Sequence, residues 1–306
     1  MIEKKSYNTM QKKSAIFGLV CVLIPLVAYV FFHIFPLIIS FLLQFFDTEG
    51  SYDIVDMKWD NFAAIKTVYG GKTLWKAFSV TLFMMLAQFT SLAIAIITAN
   101  ALHYRYKGST AFEVLFFIPH ICSSVALSVI WKWMFDVDQG IINDVLSMLN
   151  YAPIEWHYSE TAYPWMIFIV IVWSSPGYGI IMYKSVFSSI NKSIYEAADI
   201  DGATGWAKFW KVTFPELAPM TFYLLMLGII AGMQTFEIAK IIRVDTNNSG
   251  VYGPYDCGLT LMCYVYREFD VNGNLSNASV ISWFLFIITL TLSIISFKVR
   301  RKWVDE

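Results

Sequence analysis

Six runs of apolar residues, at roughly 15–45, 75–102, 112–135, 162–187, 217–241 and 279–299, dominate this chain. Each is long enough to cross about 30 Å of hydrocarbon at about 1.5 Å per helical residue. Backbone groups inside a bilayer must bond within their own segment, so runs of this length fold as helices. Only 15% of the 306 residues are charged, well below the quarter or so usual in soluble domains. The fold class read from these runs is an all-α integral membrane protein with six transmembrane helices. The first run follows Lys4, Lys5, Lys12 and Lys13, as in a signal peptide. It is too long and lacks a small-residue cleavage site, so it reads as an uncleaved span, kinked at Pro25 and Pro36.

Basic residues set the orientation. The N-terminal lysines, Arg105 and Lys107, then Lys192, Lys208 and Lys211, then Lys298, Arg300, Arg301 and Lys302 all fall on one side of a six-span path. The opposite loops hold Asp47, Glu49, Asp53, Asp56 and Asp60, then Asp136, Asp138, Asp144, Glu155 and Glu160. Lys58, Lys66, Lys72 and Lys76 dilute the first of those loops. Both termini are expected in the cytoplasm of a bacterial cell, with residues 1–14 as a cytoplasmic N-terminus and 15–306 as one six-span domain. Trp59, Trp131, Trp133, Trp156 and Trp165 lie near predicted boundaries, as in an interfacial aromatic belt.

Chemistry of its own is not evident in the chain. The cysteines at 21, 122, 257 and 263 show no metal-ligand spacing, and no metal site is expected. Cys257 and Cys263 can pair on an oxidising side or stand as free thiols. Gly70-Gly-Lys-Thr73 mimics the tail of a phosphate-binding loop, but Lys66 stands where its first glycine belongs. The net charge of −1 gives no sign of nucleic-acid binding.

The loop at about 188–216 is unusual for a connection between spans. Ser193 and Glu196 fit a capping box, with Ser193 as N-cap. A short helix then runs through Ala197, Ala198 and Asp201 until Gly202 stops it in a left-handed conformation. Thr204 is placed to cap a second helix, whose Trp206, Phe209 and Trp210 share a face while Lys208 and Lys211 stay in water. Pro215 ends that helix or opens the next span. Two readings remain open on spacing: a rigid knob for a partner, or an amphipathic hairpin lying on the membrane.

Glu196-Ala-Ala-x-x-x-Gly202, with Pro215 thirteen residues after the glycine, resembles the EAA loop of ATP-binding-cassette (ABC) importer permeases. Other stretches resemble the sugar-type branch, that of the larger maltose-transporter permease: Trp59-Asp-Asn-Phe62, Phe116-Phe-Ile-Pro119, Trp131-Lys-Trp133 with Gly140-Ile-Ile-Asn143, Trp173 ahead of Gly177, and Leu259-Thr-Leu-Met-x-Tyr-x-Tyr266. Two departures stand out. Asn191, a good N-cap residue, replaces a frequent proline, and Arg243-Val-Asp-Thr-Asn-Asn-Ser-Gly-Val-Tyr-Gly-Pro254 replaces a Thr-x-Gly-Gly-Pro motif.

The resemblance implies the permease fold with cytoplasmic coupling helices between spans 4 and 5. It implies a heterodimer with a second homologous permease subunit, two cytoplasmic ATPase subunits, and an extracytoplasmic substrate-binding protein. The chain itself would be no enzyme and bind no cofactor, ATP and Mg belonging to the partner ATPase. Glu196, Ala197, Ala198, Asp201, Gly202 and Ala203 would form the coupling corner. Polar and aromatic residues within spans often line a pathway, and the candidates are Trp173, Ser174, Ser175, Tyr178, Gly232, Gln234, Thr235 and Glu237. Of these, Ser175, Tyr178, Gly232 and Thr235 match sugar-contacting positions of the resembled permease. Each also has a plain packing role open to it, and Gly228-x-x-x-Gly232 reads as a helix-packing seam; His120 and Lys132 are set aside. The expected cargo is a carbohydrate, an oligosaccharide above all. A glycerol phosphate is the alternative within the family, and an ion-coupled secondary transporter the alternative outside it. Secondary transporters usually show repeated halves and mid-span carboxylates, whereas this sequence shows no convincing internal repeat and its Glu237 sits near a span edge.

Overall fold

The computed structural model describes residues 2–46, 62–103, 108–242 and 251–304. The loop of Arg105 and Lys107, the acidic residues and Lys58 of the first outer loop, Trp59-Asp-Asn, and the 243–250 part of the divergent segment lie outside the described residues.

Helices α1 (Ile2–Tyr29) and α2 (Phe35–Leu43) form one apolar rod through a π-helical turn at Val30–Ile34. Pro36 has no N–H and its ring crowds the carbonyl four residues earlier, so the widened turn sits just ahead of it. Pro25, by contrast, is carried inside α1 without a break. The rod stands apart from the other helices until Phe41 meets the Trp283 ring at 4.8 Å.

Helix α3 (Phe62–Gly70) turns at Gly71 into α4 (Lys72–His103). The phosphate-loop mimic is therefore a helix–helix corner. Helix α4 is the axis of the bundle. Its buried residues Leu74, Ala77, Thr81, Met84, Ala87, Ser91, Ala95, Ala99 and Leu102 recur every three or four positions. Most are small, which lets neighbouring helices approach closely in lipid.

The third apolar run is not one straight span. It forms α5 (Ser109–Ile121) and α6 (Ser124–Met134), bent by 101°. Cys122 and Ser123 are both non-helical, with ψ of 150° and 126°. Counting this pair as one broken span gives six candidate spans among the described residues. Helix α7 (Ile141–Met148) follows, and its Asn143 staples the loop beyond. The Asn143 amide donates to the carbonyls of Val137 and Ile154 and accepts from the Ile154 N–H and the Trp156 indole, at 3.0–3.2 Å.

The fourth span is α8 (Ala162–Ser174) and α9 (Pro176–Ser189). Then come α10 (Lys192–Ile200), α11 (Gly205–Lys208), α12 (Phe214–Met233), α13 (Glu237–Ile242), α14 (Leu261–Tyr266) and α15 (Leu275–Val304). Two cores flank α4. One joins Met84, Ile167, Ile171, Leu261 and Ile281; the other joins Ala95, Ile180, Tyr183, Leu217 and Leu224. Where the fifth span breaks between α12 and α13, the Thr260 hydroxyl donates to the freed Thr235 carbonyl at 2.7 Å. Nearby, the Leu261 N–H donates to Thr81 at 2.8 Å. Both buried backbone groups are thereby satisfied.

Candidate functional site

The corner between the fourth and fifth spans is built from local bonds. Asn191, extended at φ −66° and ψ 129°, accepts the Ser193 N–H at 3.1 Å and caps α10. The capping box expected on Ser193 does not form, because Asn191 starts the helix two residues earlier. Glu196 is left exposed, with no hydrogen bond or ion pair among the described residues. At the other end Gly202 has φ +71°; its N–H donates to Asp199 at 3.1 Å and the Ala203 N–H to Ala198 at 2.9 Å. This pair of bonds closes a helix on a left-handed glycine. Thr204 then caps α11 by accepting the Ala207 N–H at 3.4 Å.

Two expectations change here. Lys208 is not in water: it pairs with Asp199 across the corner and keeps only 18% of its side chain exposed. Of the two roles open to Pro215 it takes the second, opening α12 in its first turn, but the second helix does not stop before it. It runs on through a π-helical turn at Phe209–Thr213 into α12, since Pro215 removes one N–H and crowds the Lys211 carbonyl. The fifth span and the second coupling helix are thus one continuous rod. Within the corner the Tyr195 and Thr213 hydroxyls lie 3.3 Å apart. His103 of α4, stacked on Phe187 of α9 at 5.1 Å, also reaches the Tyr195 ring at 6.3 Å and so ties the corner to the bundle.

Beyond these ties the corner presents apolar surface. Ile200 and Trp206 are 87% and 75% exposed, and Trp206, Trp210 and Phe214 form a ladder at 5.7 and 5.0 Å. Ala198 is buried, while Ala197, Asp201 and Gly202 are exposed and Ala203 is half-buried.

In mid-bundle, Ser175 and Tyr178 line a cavity of about 220 Å³ with Gln88, Ser91, His120 and Gly228. A hollow of about 160 Å³ lies beyond His120, lined by Ser174, Ser175, Cys122 and Ser124. The His120 and Tyr178 rings sit 5.6 Å apart, and the Tyr178 and Tyr223 hydroxyls 3.5 Å apart. Ser124 donates to the Glu237 carboxylate, which links Glu237 to the second hollow.

The remaining candidates are placed elsewhere. Trp173 meets the Trp131 ring edge-on at 5.2 Å. Gln234 caps the end of α12. Thr235 is buried, donating to the Gly232 carbonyl at 2.9 Å. Gly232 packs on α4, where a Cβ would lie 2.7 Å from the Met85 Cα, and it does not line either of these two hollows. Sequence reading passed over His120, Gln88 and Ser91. The signal for His120 was present in Pro119-His120: a proline and an ionisable residue within an apolar run.

At the end of the bundle opposite the corner, a hollow of about 700 Å³ is lined by Lys132, Asp136, Asp138, His157, Tyr158 and Lys240. Burial holds the His157 imidazole below its ordinary value. Cys257 and Cys263 stand there as separate buried thiols, pushed up to about 12 and about 11 by burial. Among the described residues no three His, Cys, Asp or Glu side chains are grouped to hold a metal.

Residues 91–302 match the family described as binding-protein-dependent transport system inner membrane component. The lactose transport system permease protein LacF of Rhizobium radiobacter is 28% identical over 278 residues, 89% of each chain. The arabinooligosaccharides transport system permease protein AraP of Bacillus subtilis (strain 168) is 26% identical over 281 residues, 91% of this chain and 87% of that one. A chain of a bacterial alginate ABC transporter, solved in complex with its alginate pentasaccharide-bound periplasmic protein, superposes with a TM-score of 0.79 at 19% identity. The match covers 94% of this chain and 95% of that one.

Proposed function

The chain belongs to the family of binding-protein-dependent transport system inner membrane components, and from that premise we propose that it is the permease subunit of an ABC importer for a carbohydrate. It pairs with a second, homologous permease to enclose the pathway, and a binding protein outside the membrane delivers the substrate. Two ATPase subunits in the cytoplasm, where ATP and Mg are bound, drive the cycle. Both termini and the Gly202 corner face the cytoplasm, in keeping with the basic residues on that side.

The observation that carries this reading is the corner. Its turn is closed by hydrogen bonds within the chain, yet Glu196 is exposed with no hydrogen bond or ion pair among the described residues, and Ile200 and Trp206 are largely exposed. A surface of this kind marks a docking site. Glu196 would meet a basic residue of the ATPase, Gly202 would keep the tip slim, and Ala197, Ala198, Asp201 and Ala203 would permit close approach. Because α11 continues into α12, motion of the ATPase turns the fifth span directly, as a rigid body.

A carbohydrate cargo fits the names of the two relatives and the chemistry of the cavity. Tyr178 and His120 offer ring faces, and Ser175, Ser174 and Gln88 offer hydroxyl and amide partners. Co-expression with the ATPase tests the assignment. Wild-type chain should co-purify with it, and a chain lacking 195–210 should insert but not co-purify. Retention of the ATPase by a well-inserted deletion chain would sink the proposal.

A further inference from the structure

A second apolar groove, of about 200 Å³, opens between α12 and α15, on a different face of α12 from the mid-bundle cavity. On α12 it follows Phe214, Ala218, Phe222, Leu225 and Ile229, positions that share one helix face. That face is roughly 22 Å long at the rise of an α-helix, all of it within a candidate membrane span. Glu216, the acidic residue in the first turn of α12, falls roughly opposite the stripe, so no carboxylate of that turn points at the groove.

The groove wall also includes Arg300, at the last position of the final candidate span. Its guanidinium lies 5.6 Å from the Phe222 ring centroid and makes no ion pair with a carboxylate among the described residues. Lys298, Arg301 and Lys302 flank it in sequence. An apolar channel in lipid with a cation at the end of a span has one chemical complement: an acyl chain ending in an anionic phosphate.

We infer that this groove is a binding site for an anionic phospholipid, its acyl chain lying along α12 and its phosphate on Arg300. Basic pockets between membrane helices are suited to such headgroups. The position has a consequence for the corner. Phe214, which lines the groove from the first turn of α12, packs on Trp210 at 5.0 Å and on Phe209 at 6.4 Å. A bound lipid therefore buttresses the joint between the second coupling helix and the fifth span.

The test uses the full-length chain in detergent and does not depend on transport or on an ATPase. Native mass spectrometry with dioleoylphosphatidylglycerol and dioleoylphosphatidylcholine at equal concentration should show the first retained in preference. Arg300→Gln should cut that retention roughly fivefold, the worth of one basic contact to an anionic lipid, and Arg300→Lys should restore it. Ala218→Phe, which fills the groove without changing charge, should lower retention of both lipids. Equal retention of the two lipids by the wild type would overturn the inference. So would an Arg300→Gln chain that holds phosphatidylglycerol as the wild type does, or displacement of the lipid by inorganic phosphate alone. If Arg300→Gln fails to purify, the wild-type preference and Ala218→Phe still decide.

Discussion

The helix break at Gly202 and the helix break at Cys122 turn the chain sharply in opposite surroundings. At Gly202 the reversal is closed by bonds between near neighbours, Gly202 to Asp199 and Ala203 to Ala198, and no atom beyond its own neighbours comes within 4 Å of where a side chain would sit. At Cys122 the 101° bend is held from outside. Gly177 of α9 lies so close to α5 that a Cβ there would be 2.5 Å from the Phe116 carbonyl oxygen and 3.2 Å from the His120 Cβ. One break is shaped by the chain's own turn chemistry and leaves space for a partner. The other is shaped by a neighbouring helix and encloses a cavity.

The two glycines should therefore fail differently. Gly202→Asp has room within this chain, and aspartate tolerates a left-handed backbone better than most residues. The subunit should insert and melt nearly as the wild type does. The added carboxylate would instead obstruct the docked ATPase, lowering substrate uptake on the order of tenfold or more while ATP hydrolysis no longer follows substrate. Uptake in vesicles and ATPase assays on the assembled importer check this. Near-normal uptake by a well-expressed mutant would erase the contrast with Gly177.

Gly177→Val is the complementary case. Two further carbons would be forced against the backbone of α5, and overpacking of this kind costs about 1–3 kcal/mol. Yield and melting temperature in detergent should fall, and ATPase co-purification should persist in the fraction that folds. A Gly177→Val chain as stable as the wild type would mean that α5 can move away, and that the bend is not held by α9.

Why one break was legible in sequence and the other was not follows from these contacts. Asn191, Gly202 and Thr204 act on residues two to five positions away, so the corner could be read locally. The cap is ambiguous by two positions in sequence, because Asn191 and Ser193 compete for the same role and only one can start the helix. Spacing alone leaves Lys208 in water, because its partner, Asp199, lies across the corner on another helix. The membrane break depends on Gly177, more than fifty residues from Cys122, and the apolar run from 112 to 135 carries no period that reports it. The six spans were legible because hydrocarbon thickness imposes length on sequence. The cavity was legible only as residue types: Ser174, Ser175 and Tyr178 reach it, whereas Gly232 and Thr235, equally plausible by position, turn into helix packing.

The smallest expected effect sharpens the comparison through two ion pairs, one in each region. Asp199–Lys208 ties the corner, with side-chain exposures of 63% and 18%. Glu113–Lys184 ties α5, the first arm of the membrane break, to α9, with exposures of 21% and 34%. Solvent screens the first pair more, so a double-mutant cycle with Asp199→Asn and Lys208→Gln should give a coupling of about 0.2–1 kcal/mol. The corresponding cycle with Glu113→Gln and Lys184→Gln should give a larger coupling, because a charge left alone among helices is less well hydrated. Both cycles are read from melting curves of the full-length chain. A corner coupling equal to or above that of the α5–α9 pair would mean that the corner depends on its ion pair as much as on its turn. Its local bonding would then not be what keeps it rigid.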